Sequence, residues 1–123
     1  MKSALRLVTT VIAVAFVSTA VAKPAPSSPL DEDAALTLLQ RTLKRDGVYD
    51  KRISLDCVEY GTEETTNSYF EFVLREIHNA KCGGDPETSH VLDRYRVYRR
   101  SGKIEQYEAA EDEWHAYKGA ATK

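Results

Sequence analysis

Three histidines, at positions 78, 90 and 115, are the side chains of this sequence best suited to acid–base or metal chemistry. None of them lies in an H-E-x-x-H pattern or in another spacing typical of metal ligands. No G-x-S-x-G turn is present to expose a nucleophilic serine. Acid–base catalysis by two carboxyl groups needs contrasting environments for the pair, and the sequence places no such pair in a cleft. The sequence therefore predicts no catalytic residue, metal site or cofactor. That the protein is an enzyme of unknown class is kept as an alternative to the binding function considered below.

A row of basic and aromatic side chains near residue 96 is a candidate for partner binding. Its members are Arg94, Arg96, Tyr98 and Arg100. On one face of a strand, the guanidinium groups would offer paired donors to a carboxylate, and tyrosine is enriched at protein interfaces. The alternative is cross-strand pairing of these arginines with Glu71 or Glu105, which would make the row a structural feature.

The N-terminal residues have the pattern of a secretory signal peptide. Two basic residues precede the uncharged apolar run Leu7–Val17, and small residues follow, with Ala20 and Ala22 in an A-x-A arrangement. A membrane-spanning helix would need about 20 apolar residues. We therefore expect a signal peptide over residues 1–22, cleavage after Ala22, and a periplasmic or secreted protein.

The charge balance limits the kind of partner. The chain carries 17 Lys and Arg against 19 Asp and Glu, and cleavage would remove two of the basic residues. Nucleic-acid binding relies on a basic surface, so nucleic acid is not expected as a partner. No second long apolar segment is present, so we expect no membrane span after cleavage. A protein partner in the cell envelope is expected, and the oligomeric state stays open.

The two cysteines, Cys57 and Cys82, are the residues that say most about the cellular compartment of the protein. An even number of cysteines in an exported chain predicts a disulfide, and no C-x-x-C motif indicates a redox site. Closing a loop of about 26 residues would stabilise the fold by about 3.5 kcal/mol. The bridge would restrain the loop at residues 81–89, in which Asp85 and Glu87 are further candidates for partner binding.

A Pro- and Ser-rich segment, residues 23–30, is expected to be an extended linker. After it, apolar residues recur with helical spacing. They are Ala35, Leu38, Leu39 and Leu43. Acidic residues precede this stripe, basic residues end it, and Gly47 can take the left-handed cap. The pattern predicts a helix from Asp31 to Arg45.

Alternating apolar and polar residues then predict strands. The four segments are residues 53–57, 70–74, 91–99 and 103–107. Polar residues 61–67 are predicted to be a loop, and Ser101 and Gly102 a tight turn. Trp114 either covers the open end of the core or belongs to a last short strand. We therefore predict a single α+β domain over residues 31–118, with an N-terminal helix packed on a four-stranded antiparallel sheet, and a flexible tail at 119–123.

Two segments resemble a known family. The helix start DEDAALTLLQ and the hairpin RYRVYRRSGKIEQYE resemble the PepSY domains of secreted and periplasmic proteins, in which a final hairpin turns through a Ser-Gly pair. A cystatin-like domain, which also places one helix before an antiparallel sheet, is the alternative. The PepSY resemblance implies a binding or inhibitory role at proteases or the cell envelope, and no catalytic residues.

The expected function is that of a small exported binding protein, in particular an inhibitor or immunity factor of a periplasmic or secreted enzyme. It would act by occlusion through the disulfide-bound loop, the arginine and tyrosine row, or both. A passive structural domain of the envelope is a further alternative.

Overall fold

The computed structural model describes residues 20–21 and 27–119. The predicted signal peptide, apart from its residues 20 and 21, lies outside the described residues. So do the predicted cleavage residue Ala22, the first part of the linker and the last four residues of the predicted tail. No helix in residues 27–119 is long and apolar enough to cross a membrane.

The helix α1 covers Glu32–Asp46, one residue later at each end than the sequence predicts. Asp31 caps its start, because the Asp31 carboxylate accepts a hydrogen bond of 2.8 Å from the backbone N–H of Ala34. Gly47 ends the helix in a left-handed conformation with φ 61°. The N–H of this glycine reaches the carbonyls of the last turn, which confirms the predicted helix.

Five antiparallel strands follow in a simple meander, β1-β2-β3-β4-β5. They are β1 (Val58–Thr65), β2 (Tyr69–Glu76), β3 (Val91–Tyr98), β4 (Ile104–Glu108) and β5 (Glu113–Ala116). The predicted four-stranded sheet is therefore one strand too small. Trp114 belongs to the additional strand, β5, which pairs with β4.

The predicted first strand, residues 53–57, is wrong, because it shares no residue with β1. Residues 55–57 form a single turn of 3-10 helix, and β1 begins at Val58. Ile53 and Leu55 still pack against the core, but they do so from this turn and the loop before it. The polar residues up to Thr65, predicted as a loop, belong to β1, where a bulge lies between Thr62 and Glu64.

The core lies between α1 and one face of the sheet. The fully buried helix residues are Ala35, Leu39 and Leu43, and the buried sheet residues include Phe70, Phe72, Leu74, Tyr95 and Val97. Full burial of a Leu, Val or Phe side chain contributes roughly 1.5–3 kcal/mol. The buried helix residues belong to the helical stripe that the sequence predicts, and these buried sheet residues lie in the predicted segments 70–74 and 91–99.

The predicted disulfide is present between Cys57 and Cys82, whose Cα atoms lie 5.6 Å apart. It joins the residue before β1 to the loop at residues 81–89, between β2 and β3. A backbone bridge between Asn79 and Gly83 closes a tight turn at the start of that loop. The loop is thus tied at its start, as the sequence predicts.

Candidate functional site

The sheet face opposite the helix carries a row of large side chains from four strands, which we call the aromatic–arginine row. It consists of Tyr69 from β2, Arg96 and Tyr98 from β3, Tyr107 from β4 and Trp114 from β5. Strand register aligns them, because Tyr69 is paired with Tyr98 and Tyr107 with Trp114. The packing helix lies on the other face of the sheet, so no element of residues 27–119 covers this row.

Arg96 stands at the centre of the row between two aromatic rings. Its guanidinium carbon lies 3.9 Å from the ring centroid of Trp114 and 4.5 Å from that of Tyr69. Aromatic pairs extend the row on both sides, with centroid distances of 5.7 Å for Tyr69–Tyr98 and 5.3 Å for Tyr107–Trp114. Cation–π attraction and ring packing therefore hold these side chains in one fixed arrangement.

The two arginines of β3 also form ion pairs within the chain. Arg96 Nε donates to Glu71 Oε2 at 3.0 Å, and Arg94 Nε donates to Glu63 Oε2 at 2.7 Å. The first pair is the cross-strand alternative that the sequence analysis left open. Sequence reasoning missed Glu63, because this residue lies in the bulge of β1 and no simple register places it beside Arg94. The hydrogen bond from Arg94 lowers the pKa of the Glu63 carboxyl.

The tyrosine hydroxyls of the row are each bound to a carboxylate. Tyr69 donates to Glu64 at 2.8 Å, Tyr98 donates to Glu105 at 2.9 Å, and Tyr107 donates to Asp112. These hydrogen bonds stabilise the protonated hydroxyls and raise the pKa of all three tyrosines. The three tyrosines of the row are thus restrained at the hydroxyl as well as at the ring.

The remaining candidate residues lie elsewhere. Arg100 is exposed in the turn between β3 and β4, beyond the end of the strand that carries Arg94 and Arg96. Asp85 and Glu87 are exposed in the loop at residues 81–89, where the Asp85 carboxylate accepts from the backbone N–H of Glu87 at 3.0 Å. This loop joins the ends of β2 and β3 that are remote from Tyr69 and Tyr98. The structure therefore brings Arg96 and Tyr98 together, with Arg94 beside them, and separates the other three.

A second group of polar side chains lies inside the protein, at the edge of the core. The Tyr49 hydroxyl contacts Asp93 Oδ2 at 2.5 Å and the Tyr95 hydroxyl at 3.0 Å, and Gln106 Nε2 donates to Asp93 Oδ1 at 3.2 Å. Burial raises the pKa of Tyr49 and of Tyr95. Among the described residues, no buried side-chain polar atom lacks a partner. The pattern is typical of a structural network.

This network borders a cleft of about 660 Å³, which lies where β3 and β4 separate. The pairing of β3 with β4 starts at Tyr95 and Gln106, so the first residues of β3 have no strand partner on that side. Val91 and Leu92 give the cleft an apolar wall, and Arg52 and Glu108 bring opposite charges to its lining. The mixed charge does not select one ligand class.

Three exposed side chains at the turn between β4 and β5 come close enough to share a cation. Ligand atoms of Glu111, Glu113 and His115 lie within 4.8 Å of one another. An ion pair of 2.7 Å between His115 Nε2 and Glu111 Oε2 already accounts for this closeness. We assign no metal to it, and the absence of a metal stays a prediction.

Comparison of the chain with protein-family models, with curated proteins and with solved structures finds no match. The resemblances to PepSY and cystatin-like domains therefore stay predictions.

Proposed function

We propose that this protein is a small exported binding protein that recognises a protein partner through the aromatic–arginine row. One observation carries the proposal: Arg96 is held between Tyr69 and Trp114 on a sheet face that no other element of residues 27–119 covers. Trp, Tyr and Arg are the residue types that dominate the binding energy of protein interfaces. Their clustering on one uncovered face favours binding over a purely structural role.

The rigidity of the row supports the same proposal. A side chain that becomes fixed on binding costs about 0.5–1.5 kcal/mol in lost rotamer freedom. Here the ion pair of Arg96 with Glu71 and the tyrosine–carboxylate hydrogen bonds already fix the row in the free protein. A partner would therefore gain contact area at a small entropic cost.

The mode of action that we propose is occlusion of an exported enzyme, as an inhibitor or an immunity factor. A row of restrained side chains that spans four strands is suited to cover the entrance of an active site. The Cys57–Cys82 disulfide supports export, since disulfides persist in oxidising compartments. The proposal uses no catalytic residue of this chain.

The experiment is affinity capture of the tagged protein from its native envelope fraction, followed by mass spectrometry. Trp114→Ala is the informative variant, because Trp114 lies on a short edge strand at the solvent side of the row. Arg96→Ala is less suitable, since it would leave Glu71, which is only 8% exposed, without its cation. Arg41→Ala, on the exposed side of α1, is the matched control.

We expect one stoichiometric partner that both the wild-type protein and Arg41→Ala retain. Loss of the Trp114 contact should weaken its binding about 30-fold, which corresponds to roughly 2 kcal/mol for an interface hot spot. If the partner is an enzyme, its activity should fall in proportion to the protein added. Equal capture by Trp114→Ala would contradict the proposed face. Catalytic turnover by the protein itself would favour the alternative that it is an enzyme. A sedimentable complex that contains no enzyme would favour the alternative that it is a structural domain.

A further inference from the structure

His78, just after the end of β2, is the centre of a compact set of contacts with the loop at residues 81–89. Its Nε2 lies 2.7 Å from Glu76 Oε2, and its Nδ1 lies 3.0 Å from the Asp85 carbonyl and 3.1 Å from Thr88 Oγ1. The imidazole side chain is only 8% exposed. Gly84 packs directly on the ring, because a Cβ at this position would lie 2.6 Å from two ring carbons.

The partners of the two ring nitrogens define the protonation state that fits this arrangement. Nε2 faces a carboxylate oxygen, which only accepts hydrogen bonds. In this structure Thr88 donates its hydroxyl proton to the Asp85 carbonyl at 3.0 Å, so both atoms near Nδ1 accept in this arrangement. The imidazolium form, with an N–H on each ring nitrogen, satisfies all of these contacts at once, whereas with a neutral ring protonated on Nε2 the Thr88 hydroxyl would have to turn from the Asp85 carbonyl to Nδ1.

The charges around the ring agree with this assignment. Glu76 is the carboxylate in direct contact, and it raises the pKa of His78 through its hydrogen bond, with the Asp85 carbonyl as the next cause. The ring of His90 lies 5.4 Å away from the ring of His78, and Arg52 acts on Glu76 from the segment after α1. Asp85 and Glu87 add negative charge within the loop itself.

The second half of the loop depends on His78 for its attachment. The disulfide and the Asn79–Gly83 bridge fix residues 79–83. Beyond them, residues 84–88 contact the rest of the protein through hydrogen bonds to the His78 ring, and Ser89 reaches the Glu76 carbonyl only at 3.4 Å. The next direct backbone bond runs from the Glu76 N–H to the His90 carbonyl at 2.9 Å. Loss of the Nδ1 proton would remove the N–H donor to the Asp85 carbonyl and place a lone pair against this carbonyl. The Thr88 hydroxyl could donate to that lone pair only by giving up its own hydrogen bond to the Asp85 carbonyl.

We propose that residues 84–88 form a pH-dependent element, which is fixed against β2 while His78 is protonated and released when His78 loses its proton. The pKa of His78 is raised in the folded protein. The contact that His78 stabilises is therefore complete at low pH and is lost as the pH rises through that pKa. The element carries the candidate binding residues Asp85 and Glu87, so pH would control the surface that they present. This inference stands apart from the aromatic–arginine row.

The test is an NMR titration of the exported, disulfide-bonded protein from pH 5 to pH 9. We expect the His78 ring to titrate above the ordinary value of 6.5. The amide signals of residues 84–88 should shift with the same midpoint, and their order parameters should fall as the pH rises. A His78 midpoint at or below 6.5, or loop amides that do not follow it, would overturn the proposal.

A pair of matched variants separates this element from general effects of charge. Glu76→Gln should lower the midpoint of both the His78 ring and the loop amides, because it removes the carboxylate at 2.7 Å. Glu111→Gln removes the equivalent carboxylate from His115, also at 2.7 Å, and should leave the loop midpoint unchanged. If Glu76→Gln shifts the ring midpoint and the loop midpoint stays in place, the loop is not coupled to His78. Both variants keep the His78 ring and its packing on Gly84.

Discussion

Arg99 shows how one side chain can fix three segments of the fold. Its Nε donates to the Leu30 carbonyl and its Nη1 donates to the Thr66 carbonyl, each at 3.2 Å, while the guanidinium lies 4.9 Å from the ring centroid of Phe70. The backbone N–H of Leu30 returns a bond of 2.7 Å to the Arg99 carbonyl. Arg99 thus ties the chain before α1 to two hairpin turns.

Replacing Arg99 with lysine should destabilise the protein although the charge is kept. A single ammonium group cannot reproduce the two directed bonds and the stacked plane of a guanidinium. We expect a loss of about 1–3 kcal/mol in the free energy of unfolding, measured by urea denaturation at pH 7. The adjacent Arg100→Lys is the control, because Arg100 is exposed, and it should be neutral. Equal effects of the two variants would show that the Arg99 contacts contribute nothing.

Two buried tyrosines and one partly buried tyrosine make the stability of the protein depend on pH above pH 10. Burial is the main cause that raises the pKa of Tyr49, Tyr95 and Tyr117 above the ordinary value of 10.0. In the unfolded chain these hydroxyls ionise near pH 10, whereas in the folded protein they stay protonated to higher pH. Their stabilising contribution is therefore complete below pH 10 and is lost as the pH rises further.

The Tyr49→Phe variant tests this dependence. In the wild-type protein, Tyr49 should contribute a loss of about 1.4 kcal/mol in the free energy of unfolding for each pH unit above 10. The variant should be less stable than the wild type at pH 8, because Asp93 loses a donor, and should show a shallower decline at pH 10–11.5. Tyr60→Phe, whose hydroxyl forms no hydrogen bond in the described residues, is the control for the loss at pH 8. Because burial raises the pKa of Tyr60 too, this control should also show a shallower decline above pH 10. Parallel pH profiles for wild type and Tyr49→Phe would contradict the account.

At the scale of elements, the disulfide is the main restraint on the connection between β2 and β3. Changing both Cys57 and Cys82 to serine should lower the free energy of unfolding by about 3.5 kcal/mol, if loop entropy governs the effect. Calorimetry of the oxidised wild type, the reduced wild type and the double variant would measure the change. An unchanged melting temperature would mean that the bridge stabilises the fold little.

The secondary structure was predictable where its signals are local. Asp31 and Gly47 mark the ends of α1 within one residue, because capping depends on hydrogen bonds to the nearest turn. The start of β1 was not predictable, because the alternation of Ile53 and Leu55 also arises when a 3-10 turn packs its apolar side chains on the core. The sequence predicts a loop for the polar half of β1, since an edge strand with its side chains in solvent lacks an apolar face.

At the scale of the whole molecule, the candidate site was predictable only in part. The period of two in β3 places Arg94, Arg96 and Tyr98 on one face, as the structure shows. Tyr69 and Trp114 join them from strands distant in sequence, and their meeting depends on the register of four strands. Sequence alone leaves that register open. The centre of the row was therefore visible in the sequence, but the two rings that enclose Arg96 were not.

The most direct test of the proposed binding face is an NMR mapping experiment on the isotope-labelled protein with its captured partner. The account predicts that the largest chemical-shift changes fall on the aromatic–arginine row, above all on the Trp114 indole and the Arg96 guanidinium. Exposed positions of α1, such as Arg41, should be unaffected. Changes confined to α1 or to the loop at residues 81–89, with an unperturbed Trp114 indole, would contradict the account.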